Sequence, residues 1–418
     1  MTIKKVKVTN FKSFDEMEID LKEFNVLIGP NAAGKSNFIQ IFQFLRDIID
    51  SGLENAISLQ GGIEYLRNLN IGASKDLSIE VNYETDFKIT RGLDETQKSR
   101  FGLNILEVNY GFALRFKKSG SGYEISEDRL SINCDFLKLN KVKQEYKGEK
   151  IGSGEIVVYQ SNGQLKVEFP ENLPVNEAEL FPPFYKGMDL SDTLILESPV
   201  FFMLVPPPVN YCANIAIYDI DPRISKEAAR ITGKAVLEED GSNLSIVLKN
   251  LIGDQEKRRK LFNLVKDVLP FIDDLSVEKF AGTKSLLLKL RETYNENEYL
   301  PASLISEGTV NITTLIIALY FEKQLLAVIE EPERSIHPYL ISRLVDMMKD
   351  ASHRKQIIAT THNPQVVKHA ELDNILLMSR DEKGFSKITK PTDMEHVKTF
   401  LDNEIGIEEL YVRDLLAF

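Results

Sequence analysis

Cysteine is scarce in this 418-residue chain, which has only Cys134 and Cys212. Two thiols so far apart give neither a disulfide framework nor the close spacing of a metal site, and they read as incidental residues of a reducing compartment. Long apolar runs are lacking as well. The longest, Ser198 to Pro206 and Thr313 to Phe321, fall short of a membrane span and read as core. The opening Met1-Thr2-Ile3-Lys4-Lys5-Val6 alternates like a strand and shows no apolar run of a secretory leader. Nor is there an excess of positive charge: 51 Lys and Arg face 63 Asp and Glu, a net charge of −12. That balance argues against the whole surface serving as a nucleic-acid platform. Basic clusters at Lys138 to Lys150 and at Lys257-Arg258-Arg259-Lys260 read first as solvated faces. With 43% hydrophobic and 27% charged residues, a globular, cytoplasmic protein without a membrane partner is expected.

What is present is a sequence of well-marked elements. Ile3, Val6 and Val8, then Met17-Glu18-Ile19-Asp20-Leu21, alternate apolar and polar as strands do. Phe24-Asn25-Val26-Leu27-Ile28 suits a buried strand, and Phe38, Ile41, Phe42, Leu45 and Ile48 recur at helical spacing over Lys35 to Ile49. From Asp76 to Glu168 short alternating stretches appear, among them Ser78 to Tyr83, Glu107 to Tyr110 and Glu155 to Tyr159, and these predict antiparallel hairpins. Pro170 to Pro208 carries too much proline for regular helix. One helical stripe spans Ser242 to Leu269, too short and irregular for an extended coiled coil. The last third predicts helices over Thr309 to Glu322 and Pro338 to Lys349. It also predicts strands over Leu325 to Glu330, Gln356 to Thr360 and Asn374 to Met378.

The glycine-rich turn Gly29-Pro30-Asn31-Ala32-Ala33-Gly34-Lys35-Ser36, followed by Asn37, stands between a strand and a helix, as phosphate binding requires. Backbone N–H groups of such a turn converge on phosphate oxygens, and the helix adds the positive end of its dipole. Lys35 would supply a point charge to the β- and γ-phosphates, and the Ser36 hydroxyl would ligate Mg²⁺. Glu330-Glu331 ends an apolar strand. One carboxylate there would hold Mg²⁺ directly or through water, and the next would polarise the attacking water. His362, in Thr360-Thr361-His362-Asn363-Pro364, follows another apolar strand, on the rim where such sheets bind ligands. Leu304-Ile305-Ser306-Glu307-Gly308-Thr309 precedes a helix and reads equally as a second anion-binding terminus or as a simple N-cap.

Taken in order, these motifs resemble the ABC-class ATPases of the RecF, SMC and OLD-like group. The resemblance is strongest to compact bacterial proteins of the AAA15/AAA_21 type without a Toprim domain. Val8-Thr9-Asn10-Phe11-Lys12-Ser13-Phe14 looks like that group's opening strand, and Asp240-Gly241-Ser242-Asn243-Leu244 also fits. The likeness covers most of the chain and is loose between about Lys88 and Val200. It implies an α/β fold, a P-loop NTPase domain resembling an ABC-ATPase head, formed by both chain ends around a β-rich and helical insertion. The parts would be 1–75, carrying the phosphate loop; 76–210, β-rich; 211–300, a helical lobe and linker; and 301–418. It further implies that Ser306, Glu307 and Gly308 contact ATP held by a partner subunit, that Glu331 is the hydrolytic base and that His362 senses the γ-phosphate. Glu333 to His337 would cross the interface of a homodimer that sandwiches ATP. Two features depart from the group: Glu330 stands where Asp is usual, and the signature reads Ser-Glu-Gly rather than Ser-Gly-Gly. Gln60 is the candidate for the glutamine that links magnesium to the inserted lobe.

The function expected on that resemblance is a dimeric, ATP-hydrolysing switch in DNA repair or anti-phage defence, with ATP and Mg²⁺ as cofactors. A nuclease or toxin would be its partner, and DNA a further one. Alternatives are a nucleotide-locked scaffold with negligible turnover and an OLD-like DNA-processing protein. The stretch after His362 is too short for a Toprim nuclease domain, and the β-rich insertion between Lys35 and Ser306 speaks against a transporter motor.

Overall fold

The computed structural model describes residues 2–91, 100–117, 122–142, 145–161, 163–170, 190–198, 211–280, 283–295, 298–402, 405–413 and 415–416. Two compact units divide the chain. The first comprises 1–22, 36–214 and 380–388, and the second 23–35, 215–379 and 389–418. The chain passes from second to first between Lys35 and Ser36, inside the glycine-rich turn.

In chain order the first elements are β1 (Thr2–Phe11), β2 (Phe14–Asp20), β3 (Phe24–Ile28) and the helix α1 (Lys35–Ser51). They are followed by α2 (Leu53–Leu59), α3 (Ile63–Leu66), β4 (Leu77–Arg91), β5 (Arg100–Phe116), β6 (Tyr123–Val142), β7 (Glu145–Ser161) and β8 (Gln164–Glu168). The first unit is an antiparallel sheet in the order β2-β1-β4-β5-β6-β7-β8. Helix α1 buries Phe38, Phe42, Phe44 and Leu45 completely. Phe44 stacks at 6.1 Å on Phe11 of β1 and at 6.4 Å on Phe112 of β5, so the helix lies on the sheet. Each fully buried phenylalanine contributes roughly 1.5–3 kcal/mol of transfer free energy, which fixes the helix that begins at the phosphate loop.

The short alternating stretches of the sequence prove to be parts of strands 15 to 20 residues long. Register shifts break the phase, between Glu84 and Phe87, Ile105 and Glu107, Ala113 and Leu114, and Phe136 and Leu137. A bulge turns the inward side outward, so one long strand reads as several short ones. The basic cluster from Lys138 falls on the β6–β7 hairpin, where Lys150 pairs with Asp135 at 2.8 Å. Most of the proline-rich stretch 170–208 lies outside the described residues.

A buried carboxylate ties the far end of the sheet to its loop. Asp128 of β6 accepts hydrogen bonds from the Tyr110 hydroxyl (3.0 Å) and the Ile195 amide (2.6 Å). Burial pushes its pKa up to about 7, against the pull of those two donors. Removing the acceptor by Asp128→Ala strands both donors, and we expect a loss of about 2–4 kcal/mol, read as a lowered midpoint in urea. Both cysteines are buried and free, with their thiols pushed up to about 12 by burial. They are therefore not nucleophiles at neutral pH.

The second unit holds β9 (Ile215–Tyr218), α4 (Pro222–Ser225), β10 (Ala229–Arg230), α5 (Leu244–Ile252), α6 (Gln255–Val268), β11 (Ile272–Lys279), β12 (Ser285–Glu292) and β13 (Leu300–Pro301). It continues with α7 (Glu307–Tyr320), β14 (Leu326–Glu330), α8 (Ile341–Ser352), β15 (Gln356–Thr360), α9 (Pro364–His369) and β16 (Ile375–Arg380). Strands β16-β3-β15-β14-β9 lie side by side, every neighbour parallel. Strands β3 and β15 are buried at every position, as strands covered on both faces must be.

The single stripe over 242–269 is in fact two helices. Asp254 ends the run by capping α6, its side chain accepting from the amides of Glu256 and Lys257. The basic cluster Lys257 to Lys260 lies on the exposed side of α6, with Lys257 and Arg258 paired to Asp254 and Asp274. Helix α7 is buried from Thr309 to Leu319, as an apolar helix without a polar face requires. Its carboxyl end is held by the buried Lys355, whose Nζ donates to the carbonyls of Ala318 (2.9 Å) and Glu322 (2.7 Å). No helix among the described residues is long and apolar enough to cross a membrane.

Candidate nucleotide-binding site

Because β9, β14, β15 and β3 run parallel in register, their carboxyl ends share one edge. The pairs Leu27–Thr360 and Thr360–Glu330, and Tyr218 beside Ile329, set four loops on that edge. Ligands bind at such an edge in open α/β sheets. The loops carry the glycine-rich turn, Asp219, the Glu331 turn and His362.

The turn after β3 uses its glycines for clear physical reasons. Gly29 has φ 148°, and a Cβ there would collide with the Met378 carbonyl oxygen of β16. Gly34 sits at φ 111°, and Ala32 holds a left-handed φ of 62°. Pro30, Asn31 and Ala32 are exposed, while Ala33 and Gly34 are buried. Lys35 folds over the loop, its Nζ donating to the carbonyls of Gly29 (2.8 Å) and Pro30 (3.0 Å). Burial lowers its pKa, and Glu331 and Glu330 oppose that shift, so both carboxylates lie within electrostatic reach of the ammonium. Ser36 and Asn37 begin the part of α1 assigned to the first unit, Ser36 exposed.

Glu330 is half-buried at the tip of β14. Burial raises its pKa first, then the charges of Asp219 and Glu331. Glu331 stands at φ 43°, a strained position for a residue with a side chain, and its amide donates to the Thr360 carbonyl at 3.0 Å. Arg334 bridges this region: it pairs with Asp219 at 2.8 Å, reaches Glu331 at 3.7 Å and donates to the Ile220 carbonyl at 3.1 Å. The pKa of His362 is lowered by burial, then by Lys35, with Glu331 opposing. Its imidazole is therefore neutral at pH 7, with one nitrogen free to donate and the other to accept.

The Ser306 side chain is the N-cap of α7, accepting from the Thr309 amide at 3.1 Å and sharing a 2.7 Å contact with the Thr309 hydroxyl. Glu307 pairs with Arg223 at 3.2 Å and accepts from the Ser335 hydroxyl at 3.0 Å. Gly308 has no room for a side chain, since a Cβ would stand 2.5 Å from the Ser335 carbonyl oxygen. Gly308→Ala should therefore push α7 off the Ser335 turn. The expected cost is about 1–3 kcal/mol in a thermal or urea melt, where the same change at Gly253, with φ −67° and nothing nearer than 3.4 Å to a Cβ, costs far less.

Sequence reasoning placed Glu333 to His337 in a loop across a dimer interface, but missed Asp219, Asn311, the Arg334–Asp219 pair and the Glu333–Thr361 bond. Asp219 had a usable signal, because an acid ends the apolar run of β9 just as Glu330 ends β14. The other three are reached only through the fold. Gln60 lies in the first unit at the end of α2, buried, its carbonyl accepting from Lys12 at 3.3 Å. That unit also holds a cavity of about 330 Å³ lined by Lys12, Asn37, Tyr65, Arg67 and Arg380 among others.

Residues 1–178 match the family model described as "AAA ATPase domain", and residues 220–368 match "AAA domain, putative AbiEii toxin, Type IV TA system". Both matches are to AAA-domain models, and each covers less than half of the chain. The second unit is mixed α/β, with the glycine-rich turn following a central parallel strand. Among curated proteins, the chain is 32% identical over 90 residues to the uncharacterized protein MJ1542 of Methanocaldococcus jannaschii, covering 21% of the chain and 10% of that protein. It is 39% identical over 46 residues to the chromosome partition protein Smc of the same organism, covering 11% of the chain and 4% of that protein. The chain thus spans a tenth or less of these relatives. Among solved structures, an Smc head bound to the C-terminal winged-helix domain of ScpA matches at 14% identity and TM-score 0.48, over 93% of this chain and 97% of that one. The SMC head domain from Thermotoga maritima matches at 15% and 0.41, over 93% and 99%.

Proposed function

We propose that this chain is an ABC-class ATPase that binds MgATP, hydrolyses it and uses the cycle as a dimeric switch. The observation that carries the reading is the meeting of Lys35, Glu330, Glu331 and His362 at the carboxyl edge of one parallel sheet. The glycine-rich turn cradles the phosphates, and Lys35 leaves its loop carbonyls to neutralise the β- and γ-phosphates. The Glu331 carboxylate takes a proton from a water as its oxygen attacks the γ-phosphorus in line. The bond from that phosphorus to the bridging oxygen breaks, and ADP leaves with the electron pair. Neutral His362 donates an N–H to a γ-phosphate oxygen.

The donors for magnesium fit its chemistry. Ser36 offers a hydroxyl and Glu330 a carboxylate, hard oxygens of the kind Mg²⁺ takes alongside phosphates and water. Burial and then the charges of Asp219 and Glu331 raise the Glu330 pKa, and a divalent cation would relieve that crowding. When bound, Mg²⁺ supplies charge neutralisation on the β- and γ-oxygens.

In the switch, Ser306, Glu307 and Gly308 contact ATP held by a second copy of the chain. Exposed Leu304 and Tyr339 in the second unit offer apolar surface for that copy. A nuclease or toxin partner and a role in DNA repair or anti-phage defence belong to the same proposal, and the toxin named in the description of the model matched by residues 220–368 is what favours it. The dimer has a direct test. Light scattering of Glu331→Gln with MgATP should show a mass near twice the 47.5 kDa of one chain. A mass that stays at one chain with saturating ATP would reject the sandwich.

A further inference from the structure

The turn that follows Glu331 carries a second acid that the hydrolytic scheme leaves idle. Glu333 is only 8% exposed, and Thr361, on the loop after β15, is fully buried. The Thr361 hydroxyl donates to Glu333 Oε1. The same hydroxyl oxygen accepts from the Asn363 amide at 2.9 Å, and the Thr361 amide donates to the Leu27 carbonyl of β3 at 3.1 Å. His362 stands between those two anchored residues. The other Glu333 oxygen, Oε2, is buried with no hydrogen-bond partner among the described residues. A buried carboxylate so poorly satisfied costs stability, and an apolar side chain would fill the space at less cost. What the acid adds is a tie between two loops.

The turn is held from its other side as well. Asn311 of α7 donates to the carbonyls of Pro332 (3.1 Å) and Arg334 (2.6 Å), and the Arg334 amide donates to the Glu331 carbonyl at 3.0 Å. Glu333 therefore projects from a fixed turn, and its bond to Thr361 fixes the next loop against it. We propose that Glu333 is a positioning residue, its buried carboxylate locking the loop that presents His362 to the turn that presents Glu331 through the Thr361 hydroxyl. The inference rests on the reading that Glu331 and His362 serve ATP hydrolysis.

The test pairs two measurements on the full chain. In the first, amide hydrogen exchange of the segment around Asn363 is followed by mass spectrometry in wild type, Thr361→Val, Thr361→Ser and Glu333→Ala. Thr361→Val removes the acceptor of the Asn363 amide and should lose protection. Glu333→Ala frees the hydroxyl to rotate and should also lose it, while Thr361→Ser keeps wild-type exchange. In the second, kcat should fall about ten- to a hundredfold in Thr361→Val and Glu333→Ala, with KM for ATP held within about twofold. Thr361→Ser should restore kcat. The Glu333→Ala/Thr361→Val double variant should be no worse than either single one, because the two share one interaction. Additive losses in kcat, or unchanged exchange and kcat in both single variants, would overturn the proposal. A wild type that releases no phosphate would reject the hydrolytic reading instead, and the exchange measurement would still decide whether the tie exists.

Discussion

Lys35→Ala should weaken ATP binding and lower turnover about 10²–10³-fold. The glycine-rich turn holds this ammonium over itself through the carbonyls of Gly29 and Pro30. It also sits within reach of Glu330 and Glu331, so its loss leaves two acids facing the phosphates without a counter-charge. Removing one preorganised donor from a site of developing charge typically costs that much in rate. Backbone amides of the turn remain, so residual nucleotide affinity is expected and the fold should be unaffected. Equal ATP affinity and equal turnover in variant and wild type would remove the phosphate loop from the scheme.

Glu331→Gln should have the larger effect on chemistry and the smaller on binding. The amide is isosteric and cannot accept the proton of the attacking water. General-base contributions of about 10²–10⁴ set the expected fall in kcat, with ATP affinity within a few-fold of wild type. The strained φ of Glu331 adds a structural argument. A side chain held at φ 43° is tolerated because its amide bonds to Thr360 and Arg334 bonds back to its carbonyl. Such strain is kept where geometry matters more than local stability. Glu330→Gln gives the contrast: it should raise the magnesium concentration needed for half-maximal rate and leave the base in place.

The parts legible in the sequence were those whose signal is local. Phe24–Ile28 and Gln356–Thr360 are buried on both faces, so each reads as a continuous apolar run with the observed ends. The glycines of the phosphate loop were legible because only glycine fits at Gly29 and suits the φ of Gly34. Length was lost wherever phase was broken. Strands β4 to β7 carry bulges that reset the alternation, and the α5–α6 break leaves the apolar stripe on the same face across Gly253 and Asp254. Asp254 was the available clue, an Asx cap inside a helical pattern.

Contacts between loops were not legible at all. Arg334 meets Asp219 across 115 positions of chain, and Thr361 meets Glu333 only because β14 and β15 pair in register. Ser306 shows the opposite limit. Its serine was noted for two roles, and the capping bond to Thr309 is the one made within this chain. The contact with a neighbour's nucleotide is a matter for a second copy.

The most direct test of the site is phosphate release from ATP by the purified full chain, with and without magnesium, beside Lys35→Ala and Glu331→Gln. Steady release by wild type that stops on chelation of magnesium and is lost in both variants is the expected result. Release at the same rate in wild type and in both variants, or none in wild type with magnesium and ATP present, would contradict hydrolysis at this edge of the sheet.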